Sequence, residues 1–291
     1  MYTRYCRSML CTPAIAEDRY AHCYQSGADI CLVDLEDSVP LARKEEARFK
    51  ARDFFAGACP PTRCAVRINT VTEPAGLRDL LALRDFPVKA NIVLVPKVES
   101  ARDLEIVEAV LGDGCPELEL LAVMETPRGL ERLAEITSTS APLRAVIFGS
   151  ADYAAALGIG LAWEPLVYAR SLLVNAARAA KIEVIDSPLF DLTDLSLLRR
   201  EAECALALGY SGKIALHPRQ VEVINEVFSP GAAELEHAHQ VVTAAERSGQ
   251  GITTVGGSMV GRPFFDASRR LLEEFEPLVP ADSTAGSPDN T

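Results

Sequence analysis

The sequence predicts an α/β protein with a (β/α)8 barrel, the TIM-barrel architecture. Eight short runs of apolar and β-branched residues lie between residues 7 and 218, and segments with helical spacing separate them. Runs that are apolar throughout are typical of strands buried on both faces, as in a parallel sheet. Eight such units suit closure into a barrel. The alternative is a doubly wound open sheet, but no GxGxxG motif follows the first run.

The predicted strands follow one another in chain order, each ending near a polar residue, a glycine or a proline. They cover residues 7–11, 29–35, 64–69, 91–98, 118–126, 143–149, 182–188 and 212–218.

The segments between the strands have the marks of helices. The stretch PRGLERLAEI has Pro127 near its start and apolar residues at helical spacing, including Leu130 and Leu133. Another predicted helix ends at Gly209, in the position of a C-terminal cap. We therefore expect a barrel over 1–218. Helices and a glycine-rich lid loop (GITTVGGSMVGRP) should follow over 219–280, packing on the barrel or on a neighbouring subunit, with a disordered tail over 281–291.

Composition excludes several classes of protein. The chain of 291 residues has a net charge of −12, which argues against a nucleic-acid binder because phosphate recognition needs a basic surface. No apolar stretch is long enough for a membrane span or a signal peptide. The eight cysteines form no CxxC motif. We expect reduced thiols and a cytoplasmic protein.

Polar residues gather where the predicted strands end, which is where barrels of this type build their active sites. An isolated buried carboxylate costs several kcal/mol unless it is paired or binds a metal ion. The alternative for Glu36 is a structural ion pair with Arg67 or Lys97. Successive strands provide Glu36 and Asp37, then Arg67, Lys97, Glu125, and finally Gly149, Ser150 and Asp152.

Glu125 and Asp152 are the best candidates for metal ligands, because each closes an apolar strand and those strands should be neighbours. Two carboxylates with waters and substrate oxygens are a common way to hold Mg²⁺. Bound Mg²⁺ could polarise a carbonyl and stabilise an enolate. Arg67 could hold a substrate carboxylate with two hydrogen bonds. Backbone N–H groups at Gly149 and Ser150 suit a bound carboxylate or carbonyl.

Three other polar residues have structural interpretations. We expect Asp34 to point to the other face of its strand, where it would cap or pair, and Asp186 to cap the loop that follows it. His217 precedes Pro218, and a packed, hydrogen-bonded ring is favoured over a general base.

Several motifs together resemble a known family. In order they are RSMLCTP, DLEDSV, VRIN, VPKVES, METPRGL, FGSADYAAALG, GYSGKIALHPRQ and INEVFSP, spanning residues 4–275. They resemble the citrate lyase β-subunit-like family of the HpcH/HpaI aldolase superfamily, akin to malyl-CoA and citramalyl-CoA lyases. The resemblance implies a TIM barrel, a trimer or a multiple of one, Mg²⁺ and a CoA thioester substrate. It implies reversible cleavage of a citryl-, malyl- or citramalyl-CoA to acetyl-CoA, or a homologue, and a 2-oxo acid.

The resemblance also implies roles for single residues. Glu125 and Asp152 match metal ligands, and Arg67 matches the substrate arginine, with Gly149, Ser150 and Lys97 expected beside the substrate. Glu36 and Asp37 match acidic residues next to the metal and are expected, with Arg67, to act in catalysis. Arg7 and Ser8 match a first-strand motif near the CoA, which we expect at the same barrel mouth.

One stretch departs from the family. The lid usually reads like DGKMVDxP, and its second aspartate acts as acid or base in a neighbouring subunit, whereas this chain has GGSMVGRP with Gly256 and Gly261 at those places. Three alternatives are open: Asp266 replaces the lost group, another group such as a metal-bound water moves the proton, or the chain has diverged to another reaction or to none. The lyase is the first hypothesis. A metal-dependent aldolase acting on free 2-oxo acids and a non-catalytic subunit of a multi-subunit lyase complex are the alternatives.

Overall fold

The computed structural model describes residues 5–58, 63–249 and 251–275, so the predicted tail over 281–291 lies outside the described residues. The chain forms two compact units. The first covers Tyr5–Phe228, and the second begins at Ser229. The sequence had suggested a division at 218. The first helix after the last barrel strand belongs to the first unit.

The first unit is a closed barrel of eight parallel strands. Each strand pairs with the next along the chain, and the eighth pairs with the first. This confirms the predicted (β/α)8 barrel and excludes the open sheet. The strands are β1 (Ser8–Pro13), β2 (Ile30–Asp34), β3 (Arg63–Arg67), β4 (Ile92–Val95), β5 (Glu119–Met124), β6 (Leu143–Phe148), β7 (Glu183–Asp186) and β8 (Gly212–Ala215).

Helices surround the strands. The helix predicted from Pro127 is two short helices, because the backbone leaves helical geometry at Arg132, where φ is −104° and ψ is 15°. Gly209 ends the helix over Leu195–Leu208 with φ of 106°, as its position predicted. The helices are α1 (Tyr20–Tyr24), α2 (Lys44–Gly57), α3 (Pro74–Arg84), α4 (Ala101–Leu111), α5 (Pro127–Glu131), α6 (Leu133–Thr137), α7 (Ser150–Leu157), α8 (Trp163–Ala180), α9 (Leu195–Leu208) and α10 (Pro218–Val227).

Strand side chains alternate between two cores. On β2, Ile30 and Leu32 face the barrel interior, whereas Cys31 and Val33 pack against the surrounding helices. Both faces are therefore apolar, which explains why the strands are apolar throughout. The apolar interior core ends near the carboxyl ends of the strands, and polar side chains line the barrel beyond it.

The second unit consists of two helices and a hairpin. They are α11 (Ala232–Arg247), β9 (Thr253–Val255), β10 (Ser258–Val260) and α12 (Arg262–Phe275). The stretch expected to be a loop is therefore an antiparallel hairpin. Gly256 and Gly257 form its turn with φ of 57° and 82°, the conformation that glycine adopts most readily. Within the described residues, no helix is long and apolar enough to cross a membrane.

Candidate active site

A cavity of about 420 Å³ opens at the carboxyl ends of the barrel strands. Its floor is apolar and its rim is polar. Such a shape suits a small ligand that has an apolar part and charged ends. The floor includes Leu32, Leu94, Val123, Ile147 and Ile214, and the rim includes Asp34, Asp37, Arg67, Glu125, Gly149, Ser150 and Asp152.

Arg67 is fixed by Asp34 at one side of this cavity. The two residues are register partners on β3 and β2, and their side chains share two hydrogen bonds of 2.7 Å. Asp34 also accepts the N–H groups of Glu36 and Ser38. Burial alone would raise the pKa of Asp34, but Arg67 and these donors hold it below its ordinary value.

The expectation that Asp34 points away from the site is wrong. Side chains two apart on a strand share a face, so Asp34 follows Ile30 and Leu32 on the interior side. It does form the predicted ion pair, but its partner is the substrate arginine expected from the sequence. Asp34 therefore belongs to the site.

Glu36 lies behind the cavity lining and forms two ion pairs. Its carboxylate is 2.6 Å from the Lys97 ammonium and 3.1 Å from the Arg67 guanidinium, so the structural alternative for Glu36 is present. Burial raises the pKa of Glu36, although both cations oppose the shift. Asp37 is on the rim with 57% of its side chain exposed, and its carboxylate is 3.7 Å from Lys97.

Glu125 and Asp152 come together on the rim. Glu125 is buried at the end of β5, and its Oε1 accepts the backbone N–H of Lys97 at 2.8 Å. Asp152 lies in the first turn of α7, just after β6. Burial, together with the charges of Glu36 and Asp152, raises the pKa of Glu125 to about 8. Glu125 therefore lies close enough to Glu36 and Asp152 to be affected by their negative charge.

Gly149 makes room for Glu125. A Cβ atom at position 149 would lie 2.4 Å from Oε2 of Glu125, a distance that no side chain can accept. The glycine between β6 and α7 is therefore needed to avoid a steric clash with Glu125, in addition to the predicted role of its backbone N–H. Gly149 and Ser150 both line the cavity, as expected from their position at the start of a helix.

The residues present fit a hard divalent cation. Glu125 and Asp152 offer carboxylate oxygens, and Oδ2 of Asp152 is buried without a hydrogen-bond partner. Among the described residues, no group of three or more His, Cys, Asp or Glu forms a complete metal cage. Mg²⁺ needs none, because it commonly keeps several waters and takes one or two carboxylates.

Arg7 and Ser8 are not at this mouth, and the expectation that they lie there is wrong. Strand β1 begins at Ser8, so both residues are at the amino-terminal end of the barrel, whereas Cys11 and Pro13 reach the cavity. Arg7 pairs with Asp29 at 2.7 Å, and Ser8 donates to Asn225.

Several cavity residues were missed by the sequence analysis. Arg19 ends a short 3-10 helix (Glu17–Arg19) that follows β1, and Pro188 and Phe190 are on the loop after β7, so all three lie at the functional end of the barrel. Their positions after strands were the available signal. For Arg19, no ion pair with another described residue occupies the guanidinium.

Asp186 and His217 were both expected to have structural roles, and the structure confirms the expected role of His217 alone. Asp186 does not cap the next loop. It is fully buried between Lys213 at 2.6 Å and Arg170 at 2.9 Å. His217 is a hydrogen-bonded ring, as predicted, because its Nδ1 accepts the N–H of Arg219 at the start of α10.

Comparisons with known proteins agree with this site. Residues 7–218 match the model of the family described as HpcH/HpaI aldolase/citrate lyase. The citrate lyase subunit beta of Escherichia coli K12 is 32% identical, covering 94% of each chain. A (3S)-malyl-CoA thioesterase of Cereibacter sphaeroides is 34% identical, covering 94% of this chain and 95% of its own.

A solved structure is similar over nearly the whole chain. The protein CitE of Mycobacterium tuberculosis, in complex with magnesium, acetoacetate and coenzyme A, has a TM-score of 0.80 and 29% identity, covering 93% of this chain and 98% of its own. The barrel, the acidic cavity and these relatives point to one conclusion. The chain belongs to the HpcH/HpaI aldolase/citrate lyase family.

Proposed function

We propose that this protein is a Mg²⁺-dependent carbon–carbon lyase. It cleaves a 3-hydroxyacyl-CoA of the citryl, malyl or citramalyl type into acetyl-CoA, or a homologue, and a 2-oxo acid. The observation that carries the proposal is the convergence of Glu125, Asp152 and Arg67 on one cavity. The relatives support it, since they include a citrate lyase subunit and a protein bound to magnesium and coenzyme A.

Glu125 and Asp152 would hold the metal ion. Bound Mg²⁺ supplies a Lewis acid that polarises a carbonyl oxygen and stabilises developing enolate charge. The backbone N–H of Lys97 fixes one oxygen of Glu125, so the carboxylate is oriented before any ligand arrives. Gly149 keeps the space beside it open.

Arg67 would hold the carboxylate of the 2-oxo acid. A guanidinium has five N–H donors, and Asp34 takes two of them while Glu36 lies near Nη1. The remaining donors can serve a ligand because Arg67 lines the cavity and 20% of its side chain is exposed. Asp37, the rim carboxylate with the greatest exposure among those named, is placed to exchange a proton with a ligand or with solvent.

Arg19 replaces Arg7 and Ser8 as the candidate for contact with the CoA phosphates. Arg19 is exposed on the rim. Arg7 is committed to Asp29 at the other end of the barrel. We also propose that the protein is a homo-oligomer, a trimer or a multiple of one, which light scattering during gel filtration would measure.

A thioesterase is the second candidate, because a relative of 34% identity bears that name. It differs from a lyase in its products. Cleavage of the carbon–carbon bond gives a 2-oxo acid and a CoA thioester, whereas hydrolysis gives a free acid and the CoA thiol.

One assay separates these functions. The protein is incubated with Mg²⁺ and, separately, with citryl-CoA, malyl-CoA and both citramalyl-CoA stereoisomers, and 2-oxo acid and free thiol are measured in parallel. A lyase releases the 2-oxo acid, and a thioesterase releases thiol without it. Cleavage of a free 4-hydroxy-2-oxo acid would indicate an aldolase that needs no CoA. Absence of 2-oxo acid from every CoA ester would overturn the lyase proposal. If free thiol and cleavage of the free 4-hydroxy-2-oxo acid were absent as well, the non-catalytic subunit would be the remaining candidate.

The metal assignment has its own control. Glu125→Gln and Asp152→Asn should each abolish Mg²⁺ binding in calorimetry, because each removes a charged oxygen ligand while keeping side-chain size. Glu117→Gln, at the amino-terminal end of the barrel, should bind as the wild type does. Unchanged binding in either site variant would remove that residue from the metal site.

A further inference from the structure

Lys97 has an unusual backbone conformation. Its φ of 51° is in the left-handed region, and Lys181 is the one other described non-glycine residue with positive φ. Lys181 ends α8, where this conformation is common. Lys97 ends no helix. A non-glycine residue held in this region carries strain that tends to occur at functional sites.

This conformation lets one residue contact four carboxylates. The backbone N–H of Lys97 donates to Glu125. The ammonium is 2.6 Å from Glu36 and 3.7 Å from both Asp37 and Asp152. Lys97 therefore contacts both proposed metal ligands, Asp152 through its ammonium and Glu125 through its backbone N–H. It does not itself line the cavity.

Negative charge is in excess around Lys97. Two other cations lie near the cluster. Asp34 holds Arg67 with two hydrogen bonds, and the Lys44 ammonium donates to the backbone carbonyls of Leu35 and Glu36. Oε2 of Glu36 and Oδ2 of Asp152 are buried and accept no hydrogen bond, although each lies within ion-pair distance of a cation. These atoms are poised for a further positive charge.

We propose that Lys97 is a tethered counter-cation that sets the affinity of the site for its divalent ion. The ammonium compensates the carboxylates while no metal is bound, and its positive charge would repel a metal ion held by Glu125 and Asp152. The site thus gains a stable metal-free form and binds Mg²⁺ less tightly than its carboxylates alone would. This inference rests on the proposed metal site and makes Lys97 a positioning residue for the metal ligands rather than a contact of the substrate.

Mg²⁺ calorimetry on the full-length protein tests this role. Lys97→Met keeps the length of the side chain and removes its charge, so the dissociation constant for Mg²⁺ should fall about tenfold or more. Lys97→Arg keeps the charge and should bind within about threefold of the wild type. Lys89→Met, an exposed lysine at the amino-terminal end of the barrel, is the remote control and should not change the affinity.

A thermal melt without metal provides a second readout. Lys97→Met should melt below the wild type in a chelator, because Glu36, Asp37 and Asp152 lose their shared cation. Mg²⁺ should raise the melting temperature of the variant more than that of the wild type. If Lys97→Met does not fold, Lys97→Gln gives the same comparison with a polar, neutral side chain.

The outcomes distinguish the two proposals. Equal or weaker Mg²⁺ binding by the neutral variants, with normal binding by the wild type, overturns the role of Lys97 and leaves the metal site standing. Absence of binding by the wild type and by the neutral variants overturns the metal assignment and this role together. Tighter binding by the neutral variants alone supports both.

Discussion

Asp34 and Arg67 face each other across neighbouring strands, and two hydrogen bonds of 2.7 Å join the carboxylate to the guanidinium. Because Asp34 is fully buried and Arg67 lines the cavity, the pair connects the barrel interior with the site. It fixes the orientation of Arg67 before a ligand binds. Because Arg67 is already ordered, less conformational entropy is lost when a ligand binds.

Asp34→Asn tests this connection. The variant removes the charged, fully buried partner of the half-buried Arg67 cation, so the free energy of unfolding should fall by about 3 kcal/mol, as measured by urea denaturation. The KM for the substrate should rise because the guanidinium is no longer held in one orientation. Asp37→Asn is the matched control. Its side chain is exposed, and its unfolding free energy should change by less than about 0.5 kcal/mol. Equal stability of the two variants would contradict the structural role of Asp34.

Asp186 makes the stability of the barrel sensitive to acid. Burial would raise the pKa of this carboxyl, but Lys213 and Arg170 hold it below its ordinary value. Its stabilising contribution is therefore complete above the unfolded pKa of about 4 and is lost as pH falls through the lower folded value. Asp186→Asn should lower the unfolding free energy by at least about 3 kcal/mol at pH 7, and its deficit relative to the wild type should shrink below pH 4. Urea denaturation between pH 7 and 3 measures both effects, and a deficit independent of pH would rule out the linkage.

Much of the barrel could be predicted from the sequence because its strands are buried on both faces and read as apolar runs. The side chains at their carboxyl ends then had to meet at one mouth, and Glu125, Asp152 and Arg67 do so. The position of Arg7 could not be predicted in this way. Which barrel end a residue occupies depends on where its strand begins, and strand boundaries are the weakest part of pattern analysis.

The partnership of Asp34 with Arg67 required more than the pattern of one strand. It depends on the register between β2 and β3, which pairs these two residues directly. A shift of one residue would send every side chain of a strand to the opposite face, and nothing within VDLEDSV specifies the register. The hairpin over 253–260 was missed for a related reason. Its strands have only three residues each, and its two-glycine turn gave the stretch the composition of a loop.

Glu125 should destabilise the metal-free protein as pH rises. Its folded pKa is raised to about 8, first by burial and then by the charges of Glu36 and Asp152. A raised folded pKa means that its favourable contribution is present below the unfolded value of about 4.3 and is lost as pH rises through about 8. Glu125→Gln removes this titration. In a chelator it should melt several degrees above the wild type at pH 8.5 and close to it at pH 5.

The control for this comparison is Glu117→Gln at the far end of the barrel, which should melt like the wild type at both pH values. Stabilisation of Glu125→Gln in the absence of metal would show that the site keeps a destabilising carboxylate for binding. A variant that melts below the wild type at pH 8.5 would contradict the raised pKa of Glu125.

Gly261 is the position where a side chain should restore the proton transfer expected of the family. It lies just before α12, and its carbonyl accepts the N–H groups of Phe264 and Phe265. Among the described residues, a Cβ atom there would contact the Ile252 side chain alone, at an ordinary 3.6 Å. Aspartate therefore fits, and it is a favoured residue at the start of a helix.

We expect Gly261→Asp to raise the rate of 2-oxo acid release by roughly 10²-fold, the lower end of what a positioned acid or base contributes. Gly261→Asn is the matched control, because it caps the helix equally well and has nearly the same shape but does not exchange a proton near neutral pH. An increase in the aspartate variant alone would show that the chain retains the family chemistry and lacks only this carboxylate. Equal rates for the wild type and both variants would place proton transfer elsewhere, with Asp37 on the rim as the first residue to substitute next.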